Sequence, residues 1–164
     1  MKTLYLLRHA KSSWKDETLV DVERPLNGRG RRASQTVGAF LKREKIIPDL
    51  VLSSSAIRAR QTTDIVVEAA KLRTDLRFDE RIYEASAQKL LEVVRQIEKS
   101  KKAVLLVGHN PGLEEFLELL TGTSETMPTG TLSKVVLKLS SWAAVGDKAG
   151  ALEWIVRPKR LLKG

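Results

Sequence analysis

The chain contains no cysteine, which excludes disulfides and thiolate metal sites alike. Aromatic residues make up only 5% of it. Proteins that bind single-stranded nucleic acid commonly interleave aromatic and basic residues for base stacking, so nucleic acid is not expected as a partner. Long apolar runs are also missing. A membrane span needs about 20 apolar residues, whereas the N-terminal run Thr3–Leu7 stops at Arg8 and His9. The same run is too short for the core of a signal peptide and reads better as a buried strand. Cytoplasmic location without membrane association is the resulting expectation. No repeat, low-complexity tract or linker interrupts the chain, and no carboxylate cluster has metal-ligand spacing, so neither metal nor cofactor is expected.

What is present is an ordinary globular balance. The 164 residues are 42% apolar and 30% charged, enough for one domain over residues 1–164 with a real core. The formal net charge is +9. Such an excess attracts anions without choosing between phosphoproteins, nucleotides and acidic surfaces.

Strand and helix patterns alternate. Thr3–Leu7, Asp49–Leu52 and Ala103–Val107 are short apolar runs of the kind that form buried parallel strands. Between them lie helical stripes. One runs over about Asn27–Lys45, with Ala33, Val37, Phe40 and Leu41 on one face, and another from a Ser55 cap to about Ala70. A third starts at Ser86 and carries Leu90, Leu91, Val94 and Ile97. A fourth follows Asn110 and Pro111 as N-cap and first turn, with Leu113, Phe116, Leu117 and Leu120 facing inward. Leu76–Tyr83 holds a short strand, and residues 10–26 are polar and irregular. Leu132–Leu139 and Leu152–Val156 read as a closing strand pair joined by a loop with Gly146 and Gly150. The pattern predicts a single-domain α/β three-layer sandwich, its mostly parallel central sheet covered by helices on both faces.

The only two histidines occupy the same kind of place. His9 follows the first strand, and His109 follows the Ala103–Val107 strand and Gly108. Ligands of open α/β sheets bind beyond the carboxyl ends of the strands, so both imidazoles face one crevice if their strands are neighbours. Arg8 precedes His9, and Arg58 sits in the first turn of the Ser55 helix. There its planar fork of donors adds to a helix terminus that already favours anions. Arg29 and Arg60 read as solvated surface residues.

These segments resemble a known family. Leu7–Arg8–His9–Ala10 is similar to the R-H-G signature of the histidine phosphatase superfamily, the phosphoglycerate-mutase-like proteins, although Ala10 stands in place of the usual glycine. Ser54-x-x-x-Arg58-Ala59-x-Gln61-Thr62 resembles that family's second motif, and Val107–Gly108–His109–Asn110–Pro111 its second histidine motif. The opening R-H-A-K-S-S-W, the D-x-x-R-P-L at Asp21–Leu26 and the small size resemble the bacterial phosphohistidine phosphatase branch.

The resemblance implies a phosphoglycerate-mutase-like fold and a metal-independent phosphatase. His9 would be the nucleophile, Arg8 and Arg58 would bind the phosphoryl oxygens, and His109 would stabilise the transition state. Chemistry agrees: phosphoryl transfer needs an in-line acceptor and positive charge on the equatorial oxygens. Neighbouring arginines keep an imidazole neutral, and a backbone carbonyl bonded to one ring nitrogen leaves the other free to attack. The proton-donating carboxylate is not uniquely placed. Glu84 is the first candidate and Glu80 the second, and a phosphohistidine substrate does not demand a strong acid. Asp21 and Arg24 are candidates for the pocket mouth. The expected partner is a phosphorylated protein, such as a histidine kinase or phosphocarrier domain, with a phosphorylated small molecule as the alternative. The short chain has little room for the insertion that larger relatives place over the pocket, and an open pocket suits a protein side chain better than an enclosed metabolite. A non-catalytic phosphate- or nucleic-acid-binding module would need no nucleophile, which argues against that third reading.

Overall fold

The computed structural model describes residues 1–163. Its strands are β1 (Lys2–Arg8), β2 (Leu50–Ser54), β3 (Asp75–Asp79), β4 (Ala103–Gly108), β5 (Leu132–Leu137) and β6 (Gly150–Val156). Its helices are α1 (Gly28–Arg43), α2 (Ile57–Ala70), α3 (Ala87–Arg95), α4 (Gly112–Thr121) and α5 (Pro158–Lys163). The strands form one sheet in the order β3-β2-β4-β1-β5-β6. The first four are parallel; β5 runs antiparallel to β1, and β6 to β5.

Side-chain alternation divides the core into two layers. Leu4 and Leu6 of β1 join Val104 and Leu106 of β4 on one face, while Tyr5, Leu7, Leu105 and Val107 join on the other. The first face packs against α3 and α4, the second against α1 and α2. Leu113, Phe116, Leu117 and Leu120 of α4 are completely buried, and each contributes roughly 2 kcal/mol in apolar burial. The layering follows from handedness. Right-handed crossovers running from β1 outward to β2 and β3 put α1 and α2 on one face; the return from β3 to β4 puts α3 on the other. The chain therefore leaves β1 and β4 in opposite directions, and their carboxyl ends flank the switch point, where ligands of open α/β sheets bind.

Several boundaries differ from the sequence reading. Ser55 does not cap α2: the cap position is Ala56, which makes no side-chain cap bond, and the Ser54 hydroxyl accepts from the Ala56 N–H. Asn110 does not cap α4 either. Its amide donates to Glu114 and to the Met127 carbonyl, and Pro111 takes the cap position. Asn27 and Ser86 do cap α1 and α3. Gly150 lies in β6, not in the connecting loop, and a 3-10 turn follows β3 at Glu80–Ile82. The irregular stretch 10–26 contains another such turn at Asp21–Glu23. α5 had no expected counterpart. Among the described residues, no helix is long and apolar enough to cross a membrane.

Candidate active site

β1 and β4 are neighbours in register, with Arg8 opposite Gly108, so His9 and His109 leave the sheet side by side. The His9 N–H donates to the Gly108 carbonyl at 3.0 Å, and the two imidazole centroids are 4.9 Å apart. Both histidines are buried. His9 Nδ1 is 2.7 Å from the carbonyl of Ala10. A carbonyl only accepts, so Nδ1 carries the hydrogen and Nε2 keeps its lone pair. The turn that holds this geometry is pinned by α2: the Ala10 N–H donates to Thr62 Oγ1 at 3.0 Å, and Thr62 donates to the Arg58 carbonyl. On its far side, Lys11 presents its carbonyl to Gly30 of α1 so closely that a Cβ there would stand 2.1 Å from the oxygen. Only glycine permits that approach.

His109 is held from β2. Its Nε2 lies 2.7 Å from Ser54 Oγ, and its Nδ1 is buried with no partner among the described residues. Tyr83, just after the 3-10 turn, sets its ring edge-on to His109 at 5.4 Å.

Two guanidinium groups, that of the half-buried Arg8 and that of the buried Arg58, complete the cluster. Arg8 donates through Nη1 to the Met127 carbonyl at 3.0 Å. Arg58, the second residue of α2, donates to the backbone carbonyl of Asp21 at 2.8 Å and to its carboxylate at 3.0 Å. The Nε atoms of both arginines are buried without a partner among the described residues. Arg8 Nε, Arg58 Nε and His109 Nδ1 are thus three buried nitrogens unmatched within a small cationic cluster. Native proteins rarely leave such buried polar atoms unpaired, and anion sites are where they do.

Burial, reinforced by the charges around them, decides the protonation of the histidines. Burial lowers the pKa of His9 to about 4, helped by Arg58 and Arg8 and opposed by the bond to Ala10. Burial also lowers His109 to about 3, with His9 and Arg58 adding repulsion. Both imidazoles are neutral at pH 7. Asp21 is driven down to about 2, first by the Tyr83 hydroxyl and then by Arg58. Tyr83 is raised to about 12, by burial and by its bond to Asp21. An ionised Asp21 therefore sits between Arg58, Tyr83 and Arg24, whose Nε is 3.1 Å from its carboxylate. Arg24 in turn stacks on Trp14 at 3.5 Å.

His9, His109, Arg8 and Arg58 are thereby brought together, and Asp21 and Arg24 stand beside them as the frame of Arg58. Glu84 follows Tyr83 but is exposed, in a left-handed conformation with φ 50°, and its carboxylate makes no hydrogen bond or ion pair with these residues. Glu80, at the start of the 3-10 turn, is exposed as well. Residues that the sequence reading gave no role are Ser54, Thr62, Tyr83 and the Met127 carbonyl. Ser54 and Thr62 lie within the second motif, Ser54–Thr62, which is their signal in the sequence. A backbone carbonyl such as that of Met127 leaves no trace in sequence. Among the described residues, no group of three or more His, Asp or Glu side chains is arranged to hold a metal ion.

Comparison with known proteins gives a consistent picture. The family model of the histidine phosphatase superfamily (branch 1) matches residues 4–103. The uncharacterized protein Rv1276c of Mycobacterium tuberculosis is 32% identical over 158 residues, covering 89% of this chain and 96% of the relative. The uncharacterized chloroplastic protein At3g52155 of Arabidopsis thaliana is 29% identical over 170 residues, covering 96% and 78%. Among solved structures, SixA from Agrobacterium tumefaciens, a proposed phosphohistidine phosphatase, superposes with a TM-score of 0.82 at 29% identity, covering 96% of this chain and 98% of that one.

Proposed function

The chain belongs to the histidine phosphatase superfamily, and from that premise we propose that it hydrolyses phosphohistidine in proteins through a covalent phosphoryl intermediate on His9. Phosphatase activity follows from the family. The substrate class and the residue roles are the proposal. The observation that carries them is the neutral His9 with Nδ1 tied to Ala10 and Nε2 unencumbered, beside three buried nitrogens without protein partners.

In this scheme the His9 Nε2 lone pair attacks phosphorus in line with the leaving group. The P–N bond forms as the substrate's own P–N bond breaks, and the departing imidazole leaves neutral if its other nitrogen already bears a proton. Arg8 and Arg58 take the charge that spreads onto the equatorial oxygens. The Ser54 hydroxyl donates to His109 Nε2, which leaves the hydrogen of His109 on Nδ1, facing the same oxygens as a donor. Water then attacks phosphohistidine-9, phosphate leaves, and His9 returns to its neutral tautomer. Glu84 is the candidate proton donor for leaving groups poorer than imidazole, with Glu80 second to it. No step calls for a metal, and none calls for a nucleic-acid or membrane partner. The likeness to the A. tumefaciens SixA structure and the absence of a long insertion over the crevice favour a protein substrate, such as a phosphocarrier or histidine kinase domain.

Rapid quenching with labelled substrate tests the intermediate. Label should appear on the peptide containing His9, labile in acid and stable in base. His9→Ala should abolish turnover while thermal unfolding stays near that of the unaltered protein. Label on His109 would exchange the two roles. No label, with quenching faster than one turnover, would mean direct attack by water.

A further inference from the structure

A cavity of about 670 Å³ lies beside the turn that follows His9 and takes no part in the chemistry above. Four cationic side chains line it: Lys11, Arg29, Arg32 and Arg157. Its apolar lining comes from Ala33, Pro128 and Pro158. Among the described residues no carboxylate lines it, and Lys11, Arg29 and Arg32 form no ion pair there; only Arg157 is engaged, with Glu125 at 3.1 Å.

Two of its walls are shared with the active site. Lys11 is two residues beyond His9, so their Cα atoms are at most about 7 Å apart. Pro128 and Thr129 belong to the segment whose Met127 carbonyl accepts from Arg8 and whose Gly130 N–H donates to the carbonyls of Arg8 and His9. Arg29 and Arg32 also stand in the first turns of α1, which has no acidic residue there, against the usual preference of a helix start for negative charge. The start of that helix is already capped by Asn27, so the feature is the array of side chains and not the helix end. Local choices that oppose a helix's own preference recur at functional surfaces.

We infer that this cavity receives an acidic segment next to the phosphorylated residue of the protein substrate; the inference rests on the phosphoprotein reading above. The lining has the apolar surface and scattered cations that a peptide with carboxylates and aliphatic side chains complements. It contains no aromatic residue, so it offers a nucleobase nothing to stack on. The distance to His9 sets the reach: carboxylates within a few residues of the phosphohistidine fall opposite Lys11, Arg29 and Arg32.

The test uses three substrates with the full-length protein. Two are phosphohistidine peptides, one with four glutamates on one flank and one with four glutamines; the third is a chromogenic aryl phosphate. The acidic peptide should show a KM lower by about fivefold at low salt, the size expected of a few exposed ion pairs, and the advantage should fade as salt screens it. In Arg29→Glu/Arg32→Glu the advantage should vanish, with aryl phosphate hydrolysis within about twofold of the unaltered protein. Equal constants for the two peptides, or an advantage that survives the double substitution, would overturn the docking assignment and leave the phosphoprotein reading standing. Turnover of the aryl phosphate with neither peptide hydrolysed would overturn both.

Discussion

Arg58 and Arg60 lie two residues apart on α2, yet their surroundings have little in common. Arg58 is 6% exposed and holds the Asp21 backbone and carboxylate. Arg60 is half-buried, with its guanidinium 3.9 Å over the ring of Phe78 on the other side of the helix. Helix geometry explains the split, since residues two apart do not share a face. Arg58→Ala should lower kcat/KM by roughly 10- to 150-fold, the equivalent of a charge-assisted contact of about 1.5–3 kcal/mol. Arg60→Ala should stay within about threefold. Steady-state kinetics on one substrate decides it: equal losses would mean a diffuse basic surface in place of a pocket. Arg58 as a candidate beside the histidines was legible from its motif. That Asp21 holds two of its donors was not, because a separation of 37 positions carries no periodic signal.

At the level of elements, the site depends on how the turn after β3 meets the start of α4. Gly112 approaches Ala85 so closely that a Cβ would stand 2.0 Å from its carbonyl oxygen. Glu84, next to Ala85, adopts a left-handed backbone with φ 50°, and Tyr83 before it lies against His109. Since α4 is anchored by four fully buried side chains, an added methyl at Gly112 displaces the turn more readily than the helix. Gly112→Ala is therefore expected to cost about 1–3 kcal/mol of stability and to lower kcat/KM at least about tenfold at temperatures where it remains folded. Thermal unfolding and kinetics on one preparation check this; full activity would show that the turn does not set the site. The helix and strand positions were readable from periodicity, whereas the caps at Ser55 and Asn110 were misread. The Asn110 amide is taken by Glu114 and the Met127 carbonyl, and α2 starts one residue later than Ser55 would require; capping preference is only local.

For the molecule as a whole, the only two histidines are both buried neutral, and this couples stability to pH. Their folded pKa values, about 4 for His9 and about 3 for His109, lie below the ordinary value near 6.5. In that interval the unfolded chain binds more protons than the folded one. Stability is therefore full above about pH 6.5 and declines as pH falls toward 4 and 3. Asp21, held at about 2, adds a loss in the same direction, beginning only below its unfolded value near 3.9. The two histidines together account for a few kcal/mol, which for a chain of this size is a fall of roughly 10 °C in Tm between pH 7 and 4.5. A His9→Gln/His109→Gln variant should show a clearly smaller fall over the same range. An identical fall would assign the pH dependence to the carboxylates.

By itself the sequence determined the layers and the family, and it picked out His9, His109, Arg8 and Arg58 as candidates. It could do so because alternation along a strand, periodicity along a helix and short motifs at strand ends are local properties, written in consecutive residues. Only the tertiary structure decided that β1 and β4 are neighbours, that Ser54 holds His109 and that Thr62 pins the turn after His9. It alone set Asp21 between Arg58 and Tyr83, and left Glu84 exposed and apart from them. Each of these is a pairing across the fold, decided by crossover direction and by which polar group wins a shared hydrogen bond. The basic cavity has the same origin: Lys11, Arg32 and Arg157 are scattered through the chain as an ordinary positive charge, and the fold gathers them within reach of one crevice.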